Sequence, residues 1–474
     1  MKALFYSSYH ATPHMETELE IAARLIEEGH EVYFLRCTGE LSTCYANPKH
    51  LSLDCKLCVS KVSNAYARLD LPPGRILTFP KVAVPDPEID FAKMDVDALK
   101  RLTYKGFDIG MGISSSLISY TRDHRPDLSR HADYLRRGYK ASVFAYEAAV
   151  RILETLSPDC VYLFNGRFLE VRPFMRVCEK MGIRYFTHER GGVLQRYMLR
   201  ERSIPHSLSV ATAEIRDLWG EGGSEKETIG RKFFEDRRKR VIQGWHTFTN
   251  GQVEQKLPAG FTKERENVVI FNSSMDEYEG IAGFTNPVYK DDNDGLERIL
   301  AHFKEDHSRH FYLRIHPNLR GLDNAQLREI KRIAAVYDNL TVIAAEEDVD
   351  TYALMDAADK VLTFGSTMGA ESVFWNKPVI LVGRAFYEEL DCLYRPGSHS
   401  EVVKQLEAPD LRPYNQTEIL KYGYWSLLFG EPYKRYRSVS VVKGTFDGRP
   451  IHPALVWRGL YVMRNKLQQW KVLR

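Results

Sequence analysis

KVLTFGSTMGAESVFWNKPVILV, residues 360–382, holds two short apolar runs around a helical stretch. KVLTF (360–364) and PVILV (378–382) are rich in β-branched residues and read as buried strands. Between them, Gly365-Ser366-Thr367 opens a helix over about 368–375, because a hydroxyl side chain can cap the first free N–H groups. Strand, turn, helix and strand at this spacing make a βαβ unit with parallel strands. The same rhythm extends upstream. ENVVIFNSS (266–274) carries a strand at 268–271, and further strands follow at 310–315 and 340–344. Helical spacing fills the intervals at about 294–305, 323–336 and 349–358. The pattern predicts a doubly wound parallel sheet over residues 265–405.

The beginning of the chain repeats the theme. KALFY (2–6) is a strand and residues 16–28 have helical spacing. Gly29 ends that helix, and EVYFLR (31–36) is a second strand. A helix over 138–156, a strand at 160–164, a helix over 168–181 and a strand at 183–187 form a further βαβ unit. The proline-bearing stretch 37–135 reads as loops and insertions around a few helices. Residues 222–250 read as a charged, solvated helix near a domain junction. The fold class expected is therefore α/β, with two Rossmann-like halves: residues 1–250, then 265–405, then a C-terminal helical segment, 406–474. A chain of 474 residues is long enough for two cores.

Bulk composition excludes some classes. The formal net charge of +3 is too small to argue for nucleic-acid binding. The longest apolar runs fall short of a membrane span, and the start of the chain fits a strand better than a signal peptide. A cytoplasmic protein is expected, one that can touch the inner face of a membrane. The peptide VWRGLYVMRNKLQQWKVLR (456–474) has five basic residues and no acid. Trp457, Leu460, Tyr461, Leu467 and Trp470 fall roughly on one helical face. Such a helix either packs back on a domain or rests on an anionic bilayer.

In an open α/β sheet, ligands bind beyond the carboxyl ends of the strands. Three motifs fall there. Arg314-Ile315-His316-Pro317 ends a strand with a cation and an imidazole, which can donate to a phosphate oxygen and stabilise a leaving nucleotide. Gly365-Ser366-Thr367 offers backbone N–H groups, hydroxyls and a helix N-terminus to an anion; ordinary capping explains the same residues. Glu371, one turn on, is placed to accept from a ribose or base. Asn272-Ser273-Ser274-Met275-Asp276-Glu277 brings hydroxyls and carboxylates to the crevice, and Asp276 or Glu277 could deprotonate an acceptor hydroxyl. Ser273, Ser274, Arg314, His316, Gly365, Ser366, Thr367 and Glu371 are thus candidate donor-binding residues.

The first half offers its own strand-end residues. Asn165-Gly166-Arg167 follows one strand and His188-Glu189-Arg190-Gly191-Gly192 another. Glu189 rivals Asp276 as a general base. Arg167 and Arg190 suit an anionic sugar or phosphate. His10, His14 and Glu16 follow the first strand. His14, Asn165, Arg167 and Arg190 are the acceptor-binding candidates. Cys37, Cys44, Cys55 and Cys58 fall within 22 positions; they can close a structural zinc site, stand as free buried thiols, or hold an iron–sulfur or redox centre. The odd total of seven cysteines argues against a disulfide framework.

The order of acidic loop, RIHP and FGSTMGAESVFWNKPVILVG resembles the donor domain of bacterial capsule-biosynthesis glycosyltransferases. Related His-Pro and Ser-Thr motifs occur in bacterial sialyltransferases and Kdo transferases. The resemblance implies a GT-B architecture, two Rossmann-like domains facing a cleft. It implies that His316 and Ser366/Thr367 hold the donor phosphate and that an acidic residue is the base. The family's acidic pair followed by glycine is here Asp-Glu-Tyr-Glu-Gly. The expected activity is an inverting, metal-independent transfer from a nucleotide-sugar, CMP-linked acidic sugars slightly favoured. The acceptor expected is a bacterial surface glycan or its lipid-linked precursor. A CDP-glycerol-type glycerophosphotransferase and a non-catalytic nucleotide-sugar-binding protein are the alternatives.

Overall fold

The computed structural model describes residues 1–244, 249 and 251–472, with side chains described through residue 466 apart from the same internal gaps. The chain forms two compact units. The first comprises Met1–Thr121, Pro126–Pro205 and a C-terminal return beginning at Gly430; the second comprises Arg122–Arg125 and His206–Phe429.

The first unit is built on strands β1 (Lys2–Ser7), β2 (Glu31–Arg36), β3 (Ile76–Thr78), β4 (Cys160–Phe164), β5 (Arg184–Arg190) and β6 (Arg196–Glu201). In the second unit the strands are β7 (Glu266–Phe271), β8 (Arg309–Arg314), β9 (Leu340–Ile343), β10 (Lys360–Thr363) and β11 (Val379–Leu381). The last strands, β12 (Glu431–Pro432), β13 (Tyr436–Ser440) and β14 (Lys443–Phe446), belong to the first unit. The sheets run β12-β6-β5-β4-β1-β2-β3 and β11-β10-β7-β8-β9. Pairing is parallel throughout the second sheet and from β5 to β3 in the first; β6 and β12 add antiparallel edges. Two mostly parallel sheets with flanking helices are the fold class the sequence predicts.

Alternation along the central strands explains the layers. Leu4 and Tyr6 of β1 enter one buried cluster, Ala3 and Phe5 the other. In β7, Val269 and Phe271 face one cluster, Val268 and Ile270 the opposite one. A strand buried on both faces needs helices on both faces. Both sheets reverse direction at one place: the chain moves outward from β1 through β3, then returns to place β4 on β1's other side. β7 and β10 stand in the same relation. The loops after β1 and β4, and after β7 and β10, therefore flank the two topological switch points, where such sheets bind ligands.

Three expectations about organisation are corrected. The boundary expected near residue 250 lies at Pro205/His206. The charged stretch hides Phe233 and Phe234, which join Ala211, Ile215, Ile419 and Trp425 in one core, so helices Leu208–Glu221 and Lys226–Arg238 belong to the second unit. The segment expected to begin at 406 is divided: helix Gln416–Leu428 completes the second core, and the chain from Gly430 returns to the first unit, burying Tyr436 and Phe446 beside Phe5. Within 37–135, helices Ser52–Tyr66 and Ile109–Thr121 are regular. The second is buried and rich in glycine and serine, so it lacks the polar face that makes a helix visible in sequence. A Cβ at Gly110 would lie 1.8 Å from the Leu99 carbonyl oxygen, which explains the small residue there.

The helix Leu455–Val472 packs against helix Ser52–Tyr66 through its described part. Leu467 and Trp470, assigned to its apolar face, have side chains outside the described residues. Among the described residues no helix is long and apolar enough to cross a membrane.

Candidate functional site

In the second unit, the loops after β7 and β10 meet. Gly365 adopts φ +127°, and a Cβ there would fall 2.3 Å from the Arg384 carbonyl oxygen and 3.4 Å from Ser273 Oγ. Only glycine allows that approach. Ser366 caps helix Thr367–Phe374: its Oγ accepts from the Met368 N–H at 3.3 Å. Thr363 Oγ1 accepts from the N–H groups of Gly365 (3.3 Å) and Ser366 (3.1 Å), and the Gly369 N–H bonds to the Ser366 carbonyl (3.0 Å). Much of the loop's donor capacity is therefore spent internally. What the terminus offers an anion is the Ser366 hydroxyl, exposed Thr367 and the helix dipole.

His316 follows β8. Its backbone N–H donates to Asn272 Oδ1 at 2.8 Å, and its Nδ1 accepts from the Asn318 N–H at 3.3 Å. That acceptor role places the ring proton on Nε2. Burial, with the neighbouring Arg122 charge, pulls the imidazole down to about 4. At neutral pH the ring is an uncharged donor. Asn272 is buried, and the His316 N–H fixes its amide so that Nδ2 points away; that atom is buried without a partner. An orphaned buried donor beside a switch point is what a ligand oxygen would satisfy.

Two of the expected donor residues have other duties. Glu371 is fully buried; Arg237 Nε donates to its Oε1 at 2.9 Å and the Tyr352 hydroxyl to its Oε2. Its carboxylate fastens the helix to Lys226–Arg238 rather than meeting a ribose. Arg314 is buried and donates to the carbonyls of Ala344 (2.6 Å) and Glu347 (3.0 Å), holding the loop after β9 instead of a donor. Asp276 is present but engaged: Arg122 Nε lies 2.6 Å from Oδ2, and Ser274 Oγ donates to Oδ1 at 2.5 Å. Both carboxylate oxygens are thus occupied, one by a cation and one by a hydroxyl. Ser274 is thus committed to Asp276, and Ser273 lines the loop contact with Gly365.

Arg122, Asp292 and Gln326 are missing from the sequence reading. Arg122 stands some 150 positions before its partner, in a stretch without regular pattern. Gln326 is fully buried; its amide donates to the Ser273 carbonyl (2.8 Å) and accepts from the Met275 N–H (3.1 Å). A lone glutamine on an amphipathic helix gives no signal. Asp292 accepts from the Tyr278 hydroxyl (2.7 Å) and the Ser273 N–H (3.4 Å). Burial pushes its carboxyl up to about 8.

That shift has a testable sign. The folded state keeps a proton that the unfolded chain, with an ordinary value of 3.8, has already released. The group's contribution to stability is full at low pH and is lost as pH rises through about 8. Asn in its place cannot titrate, and the Tyr278 hydroxyl can turn to accept. Between about pH 5 and pH 9, the wild type should lose stability relative to Asp292→Asn. Parallel denaturation midpoints for the two proteins across that range would contradict the assignment.

The first unit gathers a second polar cluster at its own switch point. Glu189, at the end of β5, accepts from Asn165 Nδ2 (2.8 Å) and the Arg190 N–H (3.0 Å), and His14 Nε2 lies 3.4 Å away. Burial drops the His14 imidazole to about 3, so this contact is a neutral hydrogen bond and not an ion pair. Beneath it, Ser7 and His188 bond to buried Glu18. Lys61 lies 3.3 Å from Glu16. Arg190 donates to the Val441 carbonyl (3.1 Å), and Arg167 stacks on Phe168 and reaches Ser119. Orphaned atoms here include both donors and acceptors: Ser8 Oγ, His10 Nδ1, His14 Nδ1, Glu16 Oε2 and Asn165 Oδ1. His14, Asn165, Glu189 and Arg190 are brought together; Arg167 stands in the same loop as Asn165.

All seven cysteines are free. Burial pushes the thiols of Cys37 up to about 11 and Cys58 up to about 12; charge from Cys37 and Cys55 adds to the shift at Cys58. Among the described residues no group of three or more His, Cys, Asp or Glu is arranged to hold a metal ion.

A family model described as "Capsule polysaccharide biosynthesis protein" matches residues 253–410. The match spans every strand of the second sheet and both loops of its switch point, and it covers a third of the chain. No curated protein matches the sequence. Solved structures with some likeness include the β-Kdo 2,4 transferase of Thermosulfurimonas dismutans KpsC, with 16% identity over 56% of this chain and 79% of that one, at TM-score 0.36. The β-Kdo 2,7 transferase of the same protein shows 12% identity over 67% and 89%, at 0.37. UDP-GlcNAc 2-epimerase from Neisseria meningitidis, bound to UDP-GlcNAc, shows 11% over 90% and 97%, at 0.30. At these TM-scores the three likenesses carry no argument about the chain.

Proposed function

We propose that this chain is a glycosyltransferase of GT-B type that builds a bacterial surface polysaccharide from a nucleotide-sugar. The observation that carries the reading is the switch point of the second sheet. There, His316 bonds to Asn272 of the loop after β7, the Asn272 amide nitrogen is orphaned, and the Ser366-Thr367 helix start follows the neighbouring strand β10, all inside the segment matched by the capsule-biosynthesis family. The donor phosphate would take the Ser366 hydroxyl and the Thr367 turn, with the neutral His316 Nε2–H donating to the departing nucleotide. Hydrogen bonds and the helix dipole would carry the developing charge without a metal. Among nucleotide donors, CMP-linked acidic sugars are favoured slightly, with a glycan or lipid-linked acceptor.

Two carboxylates are candidates for the base, Asp276 and Glu189. Asp276 lies against Arg122, and Glu189 accepts from Asn165 Nδ2 and the Arg190 N–H with His14 Nε2 beside it. In an inverting transfer a carboxylate takes the acceptor proton as the sugar–phosphate bond breaks, and the Glu189 cluster is the candidate acceptor site. The mixture of orphaned donors and acceptors around it suits a polyhydroxylated acceptor.

Mass analysis of the product from CMP-, CDP-, UDP- and GDP-activated donors tests the reaction class. Transfer of the sugar alone, with the nucleotide released, is expected. A phosphate retained in the product would instead support the CDP-glycerol-type transfer. Nucleotide binding without transfer or donor hydrolysis would leave only a binding protein.

A further inference from the structure

We infer that the C-terminal return of the first unit is a docking surface for an anionic lipid bilayer. Its charge is the first observation. Residues 430–474 contain ten Lys and Arg against two acids, a net of +8 by count, whereas the whole chain carries only +3. The remaining 429 residues are therefore net negative, by five. The net positive excess lies at one end of the chain, and an anionic surface would attract that end more than the rest.

The second observation is the apolar face that accompanies the charge. The helix Leu455–Val472 is anchored on one side: Arg464 pairs with Asp54 at 2.8 Å, and Lys56 sits 4.8 Å over the Trp457 ring. Residues 457 and 464 are seven apart and share that inner side. The opposite side carries Leu455, Val462 and Met463, exposed by 80%, 52% and 54%, with Val456 adjacent and exposed Lys466 and Arg458 at the flanks. The β13–β14 hairpin presents Val439 and Val442, 73% and 64% exposed, between exposed Arg437 and Lys443. Basic residues alone suit nucleic acid equally well. Basic residues flanking outward aliphatic side chains are the composition of a helix lying at a bilayer surface.

The occupant is thus a lipid surface bearing net negative charge, held by Arg458 and Lys466 and entered by Leu455, Val462 and Met463. This inference stands apart from the transferase reading, because none of these side chains belongs to either switch point.

Co-sedimentation of the full chain with vesicles tests it. The protein should bind phosphatidylcholine vesicles containing phosphatidylglycerol at low salt, release as salt is raised, and ignore pure phosphatidylcholine. Each basic residue near such a surface is worth about a five-fold change in partition. Arg458→Glu with Lys466→Glu should therefore weaken binding by at least about 25-fold. Val462→Ser with Met463→Ser should weaken it too, and abolish the fraction surviving moderate salt. Both pairs point outward, so circular dichroism and the melting point should match the wild type. Equal binding to neutral and charged vesicles, no binding to either, or unchanged binding by the charge-reversed protein would each overturn the inference. So would tighter binding to duplex DNA than to the vesicles, or a self-association lost in these variants while vesicle binding persists.

Discussion

His316→Ala should lower turnover by about two to three orders of magnitude, the scale of losing one positioned donor to a developing anion. The residue is held at two points: its backbone N–H donates to Asn272 Oδ1, and its ring Nδ1 accepts from the Asn318 N–H. The Nδ1 contact leaves the ring proton on Nε2. Because burial keeps the imidazole at about 4, it remains a neutral donor from pH 8 down to about 5. No acid limb near the ordinary histidine value should come from this residue. Steady-state kinetics and nucleotide affinity must be measured together. A large fall in kcat with a smaller change in affinity identifies transition-state stabilisation. Turnover within a few-fold of wild type would remove His316 from the mechanism.

Arg237→Ala should destabilise the second unit by about 3 kcal/mol, the lower end for breaking a buried ion pair, since the arginine is about one-third exposed. Among the described residues Glu371, fully buried, would keep only the Tyr352 hydroxyl as partner. The loss comes from stranding that charge more than from the pair's own attraction. Replacing both residues, Arg237→Met with Glu371→Leu, should recover most of the stability. Urea denaturation of the two singles and the double gives the cycle directly. A single-variant loss below about 1 kcal/mol would show that Glu371 finds water or another partner. The pair matters for the site because it orients the helix whose first turn carries Ser366 and Thr367.

The second sheet was plain in the sequence because its strands are short, apolar and separated by amphipathic helices. The predicted strand at 268–271 lies within Glu266–Phe271, and 360–364 differs from Lys360–Thr363 by one residue. Periodicity says nothing of strand order, yet order is what makes the loops after β7 and β10 neighbours. Residue type also misled. Arg314 and Glu371 sit at sequence positions suited to a ligand, but each is buried with a partner supplied by a distant segment. The same distance concealed Arg122 beside Asp276 and Gln326 beneath Ser273. Charge hid the core of helix Lys226–Arg238, where two adjacent phenylalanines stand among eight charged residues.

Calorimetric titration of CMP, CDP, UDP and GDP into the wild type and into a Ser366→Ala/His316→Ala variant tests the phosphate site most directly. At least one nucleotide should bind the wild type, with affinity reduced ten-fold or more in the variant, the loss of about 1.4 kcal/mol or greater. Binding of none of the four, or equal affinity for both proteins, would contradict a phosphate site at the β7/β10 switch point.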